Sequence, residues 1–164
     1  MNPGATETQC VTFALGSEVF AVPVSVVREI LDHDEVFRIP NGPSYLLGLR
    51  NVRGQGVPVI DLRLRLGLAR TETTPHTRVL VVDVPVNERL LTLGLVADRV
   101  FEVAAFSSSQ IETAPDIGVN WNSDYIDGVV RRDASFVVII SLARLLSSSE
   151  MAALATTPTG RRAA

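Results

Sequence analysis

The chain has 164 residues, 46% of them hydrophobic, with a net charge of −3 and a pI near 5.4. That length suits one ordinary domain or two small halves that share a core, and so apolar a composition excludes a disordered chain. The acidic balance argues against a protein that follows nucleic-acid phosphates, and the single cysteine, Cys10, excludes an internal disulfide and a cysteine metal cluster.

The first elements are predicted to be a hairpin and a short helix. After a disordered lead-in over residues 1–8, strands over 10–15 and 18–22 flank Gly16-Ser17, and a two-residue loop with glycine first is typical of a type II′ turn. Apolar residues at 24, 26, 27, 30 and 31 lie nearer a helical spacing than an alternating one, so we expect a short helix over 24–31.

The middle of the chain predicts two longer strands and a capped helix. A brief strand over 36–40 precedes strands over 45–52 and 57–60, which flank the loop Arg53-Gly54-Gln55-Gly56. The segment 61–66 starts with an aspartate that can cap a short helix.

The second half continues in the same style. We expect strands over 78–84, around the alternating leucines 91, 93 and 95, and over 100–106. A long polar connection over 107–123 leads to a hairpin of strands over 126–131 and 135–140. A short helix begins at Ser141 and ends near residue 146. Nine or ten short strands with frequent turn residues indicate an all-β barrel or sandwich.

The residues that usually carry catalysis or metal binding are poorly placed. His33 and His76 are the only histidines and lie in separate loops, so no metal site is expected. Asp61, Asp83 and Asp98 each follow apolar strand residues and are candidates for partly buried acids. Because such acids more often cap turns or pair with arginine, we expect no enzyme and no cofactor.

No part of the sequence predicts secretion or membrane insertion. The N-terminus lacks a basic segment followed by an apolar run, and apolar runs such as 79–82 are far shorter than a membrane span. We therefore expect a cytoplasmic protein.

Six landmarks, in this order and spacing, carry a resemblance to a known family. They are 13–16 (FALG), 26–30 (VVREI), 48–54 (GLRNVRG), 57–63 (VPVIDLR), 94–100 (GLVADRV) and 125–129 (YIDGV). Over about residues 10 to 146 the chain resembles the CheW family of chemotaxis coupling proteins.

The resemblance implies a fold and a role. The fold would be two intertwined five-stranded SH3-like β-barrels over 9–147, with short helices, one of them near the C-terminus, followed by a helix extension and disordered tail over 148–164. The role would be a non-enzymatic scaffold that bridges the cytoplasmic tip of a methyl-accepting chemotaxis receptor and the regulatory domain of the CheA histidine kinase. Such a protein would be recruited to receptor arrays beside the membrane.

The resemblance also implies positions that bind the receptor, which are Val27, Glu29, Ile30, Arg53 and Val103. Ordinary core packing competes with this role for the three apolar residues, and Val27 is favoured because it lies in the predicted helix. A receptor hairpin presents a helix face, which suits an apolar groove rimmed by charge. Since the guanidinium fork matches a carboxylate, we predict that Arg53 pairs with Glu29.

Two further sets of positions follow from the same resemblance. The kinase-binding set is Gly48, Arg78 and Leu80, and the set that contacts a neighbouring ring component is Glu112, Asp116 and Ile117. Arg78 stands where the family can have an apolar residue. Glu112 is acidic where a basic residue is possible, which predicts a compensating base on the partner.

Two alternatives remain at the level of sequence. The same scaffold could serve a paralogous receptor–kinase pathway, such as type IV pilus motility. A nucleic-acid module could use the arginines at 50, 53, 63, 65 and 70, but the low pI and the scattered Trp121 and tyrosines argue against it.

Overall fold

The computed structural model describes residues 6–69, 71–86, 88–112 and 125–146. Within those ranges the chain forms strands with two short α-helices and one turn of 3₁₀-helix (Val24–Val26). The elements are β1 (Glu7–Leu15), β2 (Glu18–Pro23), β3 (Val27–Asp32), β4 (Leu46–Val52), β5 (Gln55–Asp61), α1 (Leu62–Arg65), β6 (Arg78–Val86), β7 (Arg89–Ala97), β8 (Arg99–Ser107), β9 (Ile111–Glu112), β10 (Ile126–Arg132), β11 (Ser135–Ile140) and α2 (Leu142–Leu146).

The strands form two sheets between which the chain crosses twice. The terminal sheet has the order β8-β1-β2-β11-β10-β9, and the central sheet has the order β3-β6-β7-β5-β4. The chain begins in the terminal sheet, builds all of the central sheet and then returns, so the two subdomains are intertwined as predicted. The central sheet has the expected five strands, and the terminal sheet has six because the two-residue β9 pairs with β10.

The predicted turn and cap chemistry is present. Gly16 has φ +67°, the left-handed conformation that the first position of the β1–β2 turn requires, and Leu15 pairs with Glu18 across it. Asp61 caps α1, since its Oδ1 accepts hydrogen bonds from the backbone N–H groups of Arg63 (3.0 Å) and Leu64 (3.4 Å). The predicted hairpin of β10 and β11 also forms.

The helix predicted over 24–31 is wrong. Only Val24–Val26 is helical, as a single 3₁₀ turn after Pro23, and the rest is β3, in which Val27 pairs with Val82 and Ile30 with Leu80. A register shift between Val27 and Glu29 interrupts the strand's alternation, which is why the apolar spacing resembles that of a helix. Pairing with the buried strand β6 outweighs the local pattern.

Three boundaries also differ from the prediction. The strand expected over 36–40 is reduced to a single bridge between Phe37 and Leu49. The loop expected over 53–56 shrinks to a two-residue turn because β5 already begins at Gln55. β1 starts at Glu7, inside the predicted lead-in. The predicted disordered tail and helix extension over 148–164 lie outside the described residues.

The main core lies between the two sheets, because their facing strands each direct alternate apolar residues into it. It combines Phe13 and Leu15 of β1 with Leu93 and Leu95 of β7, all at most 1% exposed. A buried Leu or Phe stabilises the fold by roughly 1.5–3 kcal/mol. This seam therefore holds the two sheets together.

A second, smaller cluster lies on the other face of the terminal sheet. Its buried members are Cys10, Ala21, Phe106, Val130, Val137 and Ile139. Strands β1, β2 and β11 are thus covered on both faces. Burial raises the pKa of the Cys10 thiol, which keeps it protonated and therefore a poor nucleophile.

Candidate functional site

The predicted pair of Glu29 and Arg53 is confirmed. Arg53 Nη2 donates to Glu29 Oε1 at 2.7 Å and Arg53 Nε donates to Oε2 at 3.3 Å, which is the two-pronged geometry of a guanidinium on a carboxylate. The Glu29 side chain is 18% exposed and that of Arg53 is 77% exposed. The carboxylate therefore anchors a cation that still faces outward.

The turn between β4 and β5 explains why Arg53 projects in this way. Arg53 (φ 53°) and Gly54 (φ 85°) are both left-handed, as in a type I′ hairpin turn, and the Asn51 side chain accepts a hydrogen bond from the Gly54 N–H (2.8 Å). A non-glycine residue in that region costs about 1–2 kcal/mol. This backbone strain is located at Arg53, the residue whose cation faces outward.

Side chains also connect the two edge strands of the central sheet. Besides the Glu29–Arg53 pair, Arg50 of β4 donates to the carbonyl of Asp32 in β3 (2.6 Å). Arg28 of β3 pairs with Asp83 (2.9 Å) and reaches Gln55 of β5 (3.5 Å). These contacts hold β3 beside the β4–β5 hairpin although β6 and β7 separate them in the sheet.

The electrostatics of the pair favour the charged form of each member. The hydrogen bond from Arg53 lowers the pKa of the Glu29 carboxyl and outweighs burial, which would raise it. The charges of Arg53 and Arg28 lower the pKa further by smaller amounts. The same hydrogen bond raises the pKa of the Arg53 guanidinium. The pair stays ionised throughout the physiological range of pH.

The three apolar positions of the receptor set are placed differently from one another. Ile30 on β3 is 43% exposed and Val103 on β8 is 52% exposed, so both are open to a partner. Val27 is partly buried and packs against the main core. The reason for preferring Val27, an exposed helix face, is wrong because the segment is a strand.

A β-bulge in β8 sets the direction of Val103. Val11 pairs with Val103 and Phe13 with Val100, so two steps along β1 match three along β8. Val11 and Phe13 face the main core, and Val100 packs against it. Val103 therefore lies on the seam side of the terminal sheet, the side toward which Val27 also packs.

The kinase-binding positions divide by burial. Leu80 is fully buried in the main core, and Gly48 is buried with φ +149°. A Cβ on Gly48 would lie 2.1 Å from the carbonyl oxygen of Phe37, so the chain's own backbone already requires glycine there. Arg78 is half-buried and is the most accessible of the three, and its guanidinium donates to the carbonyl oxygens of Pro75 and Thr77 at 2.9 Å.

Of the ring-contact positions, the structure describes Glu112 alone. It ends β9 and pairs with Arg131 of β10 at 3.5 Å, with both side chains more than half exposed. Asp116 and Ile117 lie outside the described residues. Glu112 thus already has a base of its own chain beside it.

The three acids considered for catalysis have structural partners. Asp61 caps α1. Asp83 accepts from Arg28 and, at 2.5 Å, from the Thr92 hydroxyl. Asp98 accepts from Arg63 (2.8 Å), from the Gly16 N–H (2.5 Å) and from the Thr71 hydroxyl (3.2 Å). Each acid therefore serves as a cap or an arginine partner, which is the interpretation that the sequence favoured.

Sequence reasoning finds only one member of the Arg63–Asp98 pair, called here the Asp98 junction. It marks Asp98 as a partly buried acid but does not identify Arg63 as its partner. Asp98 lies between β7 of the central sheet and β8 of the terminal sheet, so the junction fixes one crossing point of the two subdomains. The arginine-rich stretch considered for nucleic acid is also engaged, since Arg50, Arg53 and Arg63 contact Asp32, Glu29 and Asp98.

Among the described residues, no group of three or more potential metal-ligand side chains comes together. Neither α-helix in that part of the chain is long and apolar enough to cross a membrane. The intertwined sheets, the outward-facing ion pair and the exposed apolar side chains beside the seam define a β-sheet protein-binding module.

Comparison with known proteins agrees with that class. Residues 9–150 match the family model described as the CheW-like domain. The chain is 32% identical over 147 residues to the chemotaxis protein CheW of Treponema pallidum, covering 90% of this chain and 86% of that protein. It is 33% identical over 140 residues to the chemotaxis protein CheW of Klebsiella aerogenes, covering 85% and 82%. The solved scaffolding protein TtCheW of Thermoanaerobacter tengcongensis superposes with a TM-score of 0.76 at 26% identity, over 88% of this chain and 91% of that one.

The chain belongs to the CheW-like family, a family of non-catalytic scaffold proteins. The resemblance found in the sequence landmarks is thereby confirmed, and so is the all-β fold with two subdomains. Its function is that of a chemotaxis adaptor.

Proposed function

We propose that this adaptor bridges the cytoplasmic tip of a methyl-accepting receptor and the regulatory domain of the CheA kinase, without catalysing a reaction. It acts in the cytoplasm and is recruited to membrane-associated receptor arrays. The observation that carries the receptor half of the proposal is the paired but outward-facing guanidinium of Arg53.

The energetics of that pair favour a role in recognition. An exposed ion pair contributes little to stability, since solvent and salt screen it. A partner that covers Arg53 would remove that screening, and the fork anchored by Glu29 would meet an acidic group or a helix carbonyl with little further loss of side-chain freedom.

Apolar surface beside the pair supports the same assignment. Ile30 lies one residue from Glu29 on β3, and Val103 faces the seam from β8. A receptor hairpin that lays a helix face over this region would cover both side chains, while Arg53 would meet its polar edge. Val27 would support the surface from beneath.

The kinase half of the proposal rests on the end of the β3–β6 pair at which Asp32 and Arg78 lie. Arg78 lies there as the accessible member of its set, paired with Asp32 at 3.5 Å. Leu80 and Gly48 would act indirectly, through the packing of β6 and β4. The ring contact would use Glu112 together with Asp116 and Ile117, and Arg131 would share the charge of Glu112 with the partner.

Titration calorimetry with a helical-hairpin fragment of the receptor tip tests the receptor half. Arg53→Ala should weaken binding at least tenfold, because the buried contact of a central arginine is typically worth more than 1.4 kcal/mol. Arg144→Ala is the matched control, since Arg144 is also an exposed arginine paired with a carboxylate, that of Asp127. It should bind within twofold of the wild type. Equal binding by Arg53→Ala would contradict the assignment.

A further inference from the structure

The segment that joins β3 to β4 contains the dipeptide Asn41-Gly42. Pro40 and Asn41 occupy the centre of a turn, and Asn41 has φ 63°, in the left-handed region. Proline followed by a left-handed residue is the pattern of a type II turn, and asparagine enters that region more readily than most other residues with a side chain. The fold therefore places this asparagine at a tight turn between two strands.

The Asn41 side chain is open to solvent and unrestrained. Both Asn41 and Gly42 are exposed. Among the described residues, the Asn41 side-chain amide makes no hydrogen bond, and the Gly42 N–H makes none of ordinary length and angle. The side chain can therefore rotate until its amide carbon approaches the backbone nitrogen of Gly42.

Asn51 of β4 is also exposed but is held in place. Its side-chain oxygen accepts a hydrogen bond from the Gly54 N–H at 2.8 Å, and its backbone pairs with Gly56 of β5. The residue after it is the buried Val52, whose β-branched side chain crowds its own backbone nitrogen. The two asparagines thus differ in their restraint and in the residue that follows them.

An asparagine amide and the next backbone nitrogen can react with each other, which makes asparagine one of the thermolabile residues. The Gly42 nitrogen attacks Cγ of Asn41, a C–N bond forms, and the side-chain NH₂ leaves as ammonia with the proton that the Gly42 nitrogen loses. Water then opens the resulting succinimide ring at either carbonyl carbon, which gives aspartate or isoaspartate. In sum, one amide becomes one carboxylic acid, one water is consumed and one ammonia is released.

Glycine hinders this attack least, because no Cβ stands beside the attacking nitrogen. Gly42 is not in the left-handed region, so its backbone conformation also suits alanine. A Cβ at this position would lie 2.9 Å from Leu46 Cδ2, the far end of a side chain that can rotate away. Gly42→Ala therefore crowds the nitrogen while keeping the turn.

The turn is coupled to the start of β4. The Leu46 N–H donates to the Pro43 carbonyl at 3.0 Å, and Phe37 exchanges two backbone hydrogen bonds with Leu49, of 2.7 and 2.8 Å. Isoaspartate adds one methylene to the main chain, and either product adds one negative charge to a chain whose net charge is −3. The reaction would therefore change both backbone geometry and charge beside β4.

We propose that Asn41 is a modification site, at which the folded protein converts asparagine to aspartate and isoaspartate through a succinimide formed with Gly42. This inference goes beyond the proposed function and does not depend on any partner.

Peptide mapping by mass spectrometry of the purified full chain, aged at neutral pH, measures the reaction. The peptide with Asn41 should gain the mass of an amide-to-acid exchange at least tenfold faster than the peptide with Asn51, and isoaspartate should be part of the product. Gly42→Ala should slow the change at Asn41 at least tenfold and leave Asn51 unaffected. A denaturation curve checks that this variant folds.

Ageing the wild-type chain in denaturant adds a measurement that needs no variant. Denaturant should accelerate the reaction at Asn51 more than at Asn41, because the fold restrains only Asn51. If both asparagines change at the same rate in the folded chain, or if denaturant accelerates them equally, the turn does not leave Asn41 free and the proposal is overturned. Aspartate without isoaspartate, or an unaltered rate in folded Gly42→Ala, would exclude the succinimide and overturn it as well.

Discussion

Two arginine–carboxylate pairs in this protein use the same chemistry for different ends. In the Glu29–Arg53 pair the Arg53 side chain is 77% exposed, and its side-chain hydrogen bonds among the described residues are both to Glu29. In the Arg63–Asp98 pair the two side chains are 12% and 27% exposed, and Asp98 also holds the Gly16 N–H. The first pair faces outward from a sheet edge, whereas the second joins the crossing from β7 to β8 with the β1–β2 turn.

The difference shows how burial decides what an ion pair does. A partly buried carboxylate with several donors leaves those donors unsatisfied when it is removed, which costs stability. An exposed pair loses little when it is broken, because water replaces the partner. Arg53 is therefore free to serve recognition, while Arg63 is committed to the fold.

The largest expected effect on stability is at Asp98. Asp98→Ala leaves Arg63 Nη1 and the Gly16 N–H without their acceptor, although Arg63 Nε keeps its hydrogen bond to the Ala69 carbonyl, and should lower the free energy of unfolding by about 2–3 kcal/mol. Chemical denaturation measures this. Asp98→Asn keeps one acceptor oxygen and should lose less. A change for Asp98→Ala as small as that for Glu29→Ala would remove the distinction between the two pairs.

A smaller effect is expected at the turn that Asp98 holds. Gly16→Ala places a side chain at φ +67° and 3.0 Å from Arg63 Nη1, and should cost about 1–2 kcal/mol. Gly54→Ala is the matched control, because Gly54 also has a positive φ but its Cβ would meet nothing within 4 Å. Denaturation midpoints of the two variants separate backbone strain, which they share, from the contact with Arg63. Equal losses would show that the Arg63 junction adds nothing.

The smallest effect is a shift in titration at the exposed pair. Because the pKa of Glu29 is lowered in the folded protein, its contribution to stability is present above the ordinary carboxyl pKa and is lost as the pH falls through the lowered value. NMR titration should show the carboxyl of Glu29 ionising below its ordinary range. Arg53→Ala should raise that pKa more than Arg28→Ala does, since Arg53 is the main cause. The same midpoint in all three proteins would contradict the pairing in solution.

Features of the fold and the candidate site could be predicted from the sequence when they depend on residues close together in the chain. Local chemistry was reliable: the Gly16 turn and the Asp61 cap need only their own neighbours. The Glu29–Arg53 contact was also predicted, with help from the family resemblance. The helix over 24–31 was wrong because its outcome is decided by pairing of β3 with β6, a partner about fifty residues away.

The remaining features depend on a β-bulge and on a long-range contact, neither of which the spacing of apolar and polar residues in the sequence indicates. The bulge in β8 places Val103 and Phe101 on opposite faces although strict alternation would put them on the same face. The Arg63–Asp98 junction joins residues 35 positions apart across two sheets.

The most direct test of the distinction between the two pairs places Arg53→Ala and Asp98→Ala side by side in two assays, receptor-fragment affinity and free energy of unfolding. We expect Arg53→Ala to lose at least tenfold in affinity while its denaturation curve stays close to that of the wild type. Asp98→Ala should lose stability and, at a temperature where it is folded, bind the fragment nearly as well as the wild type. If Arg53→Ala binds normally, or loses stability as Asp98→Ala does, the outward-facing pair is not a recognition site.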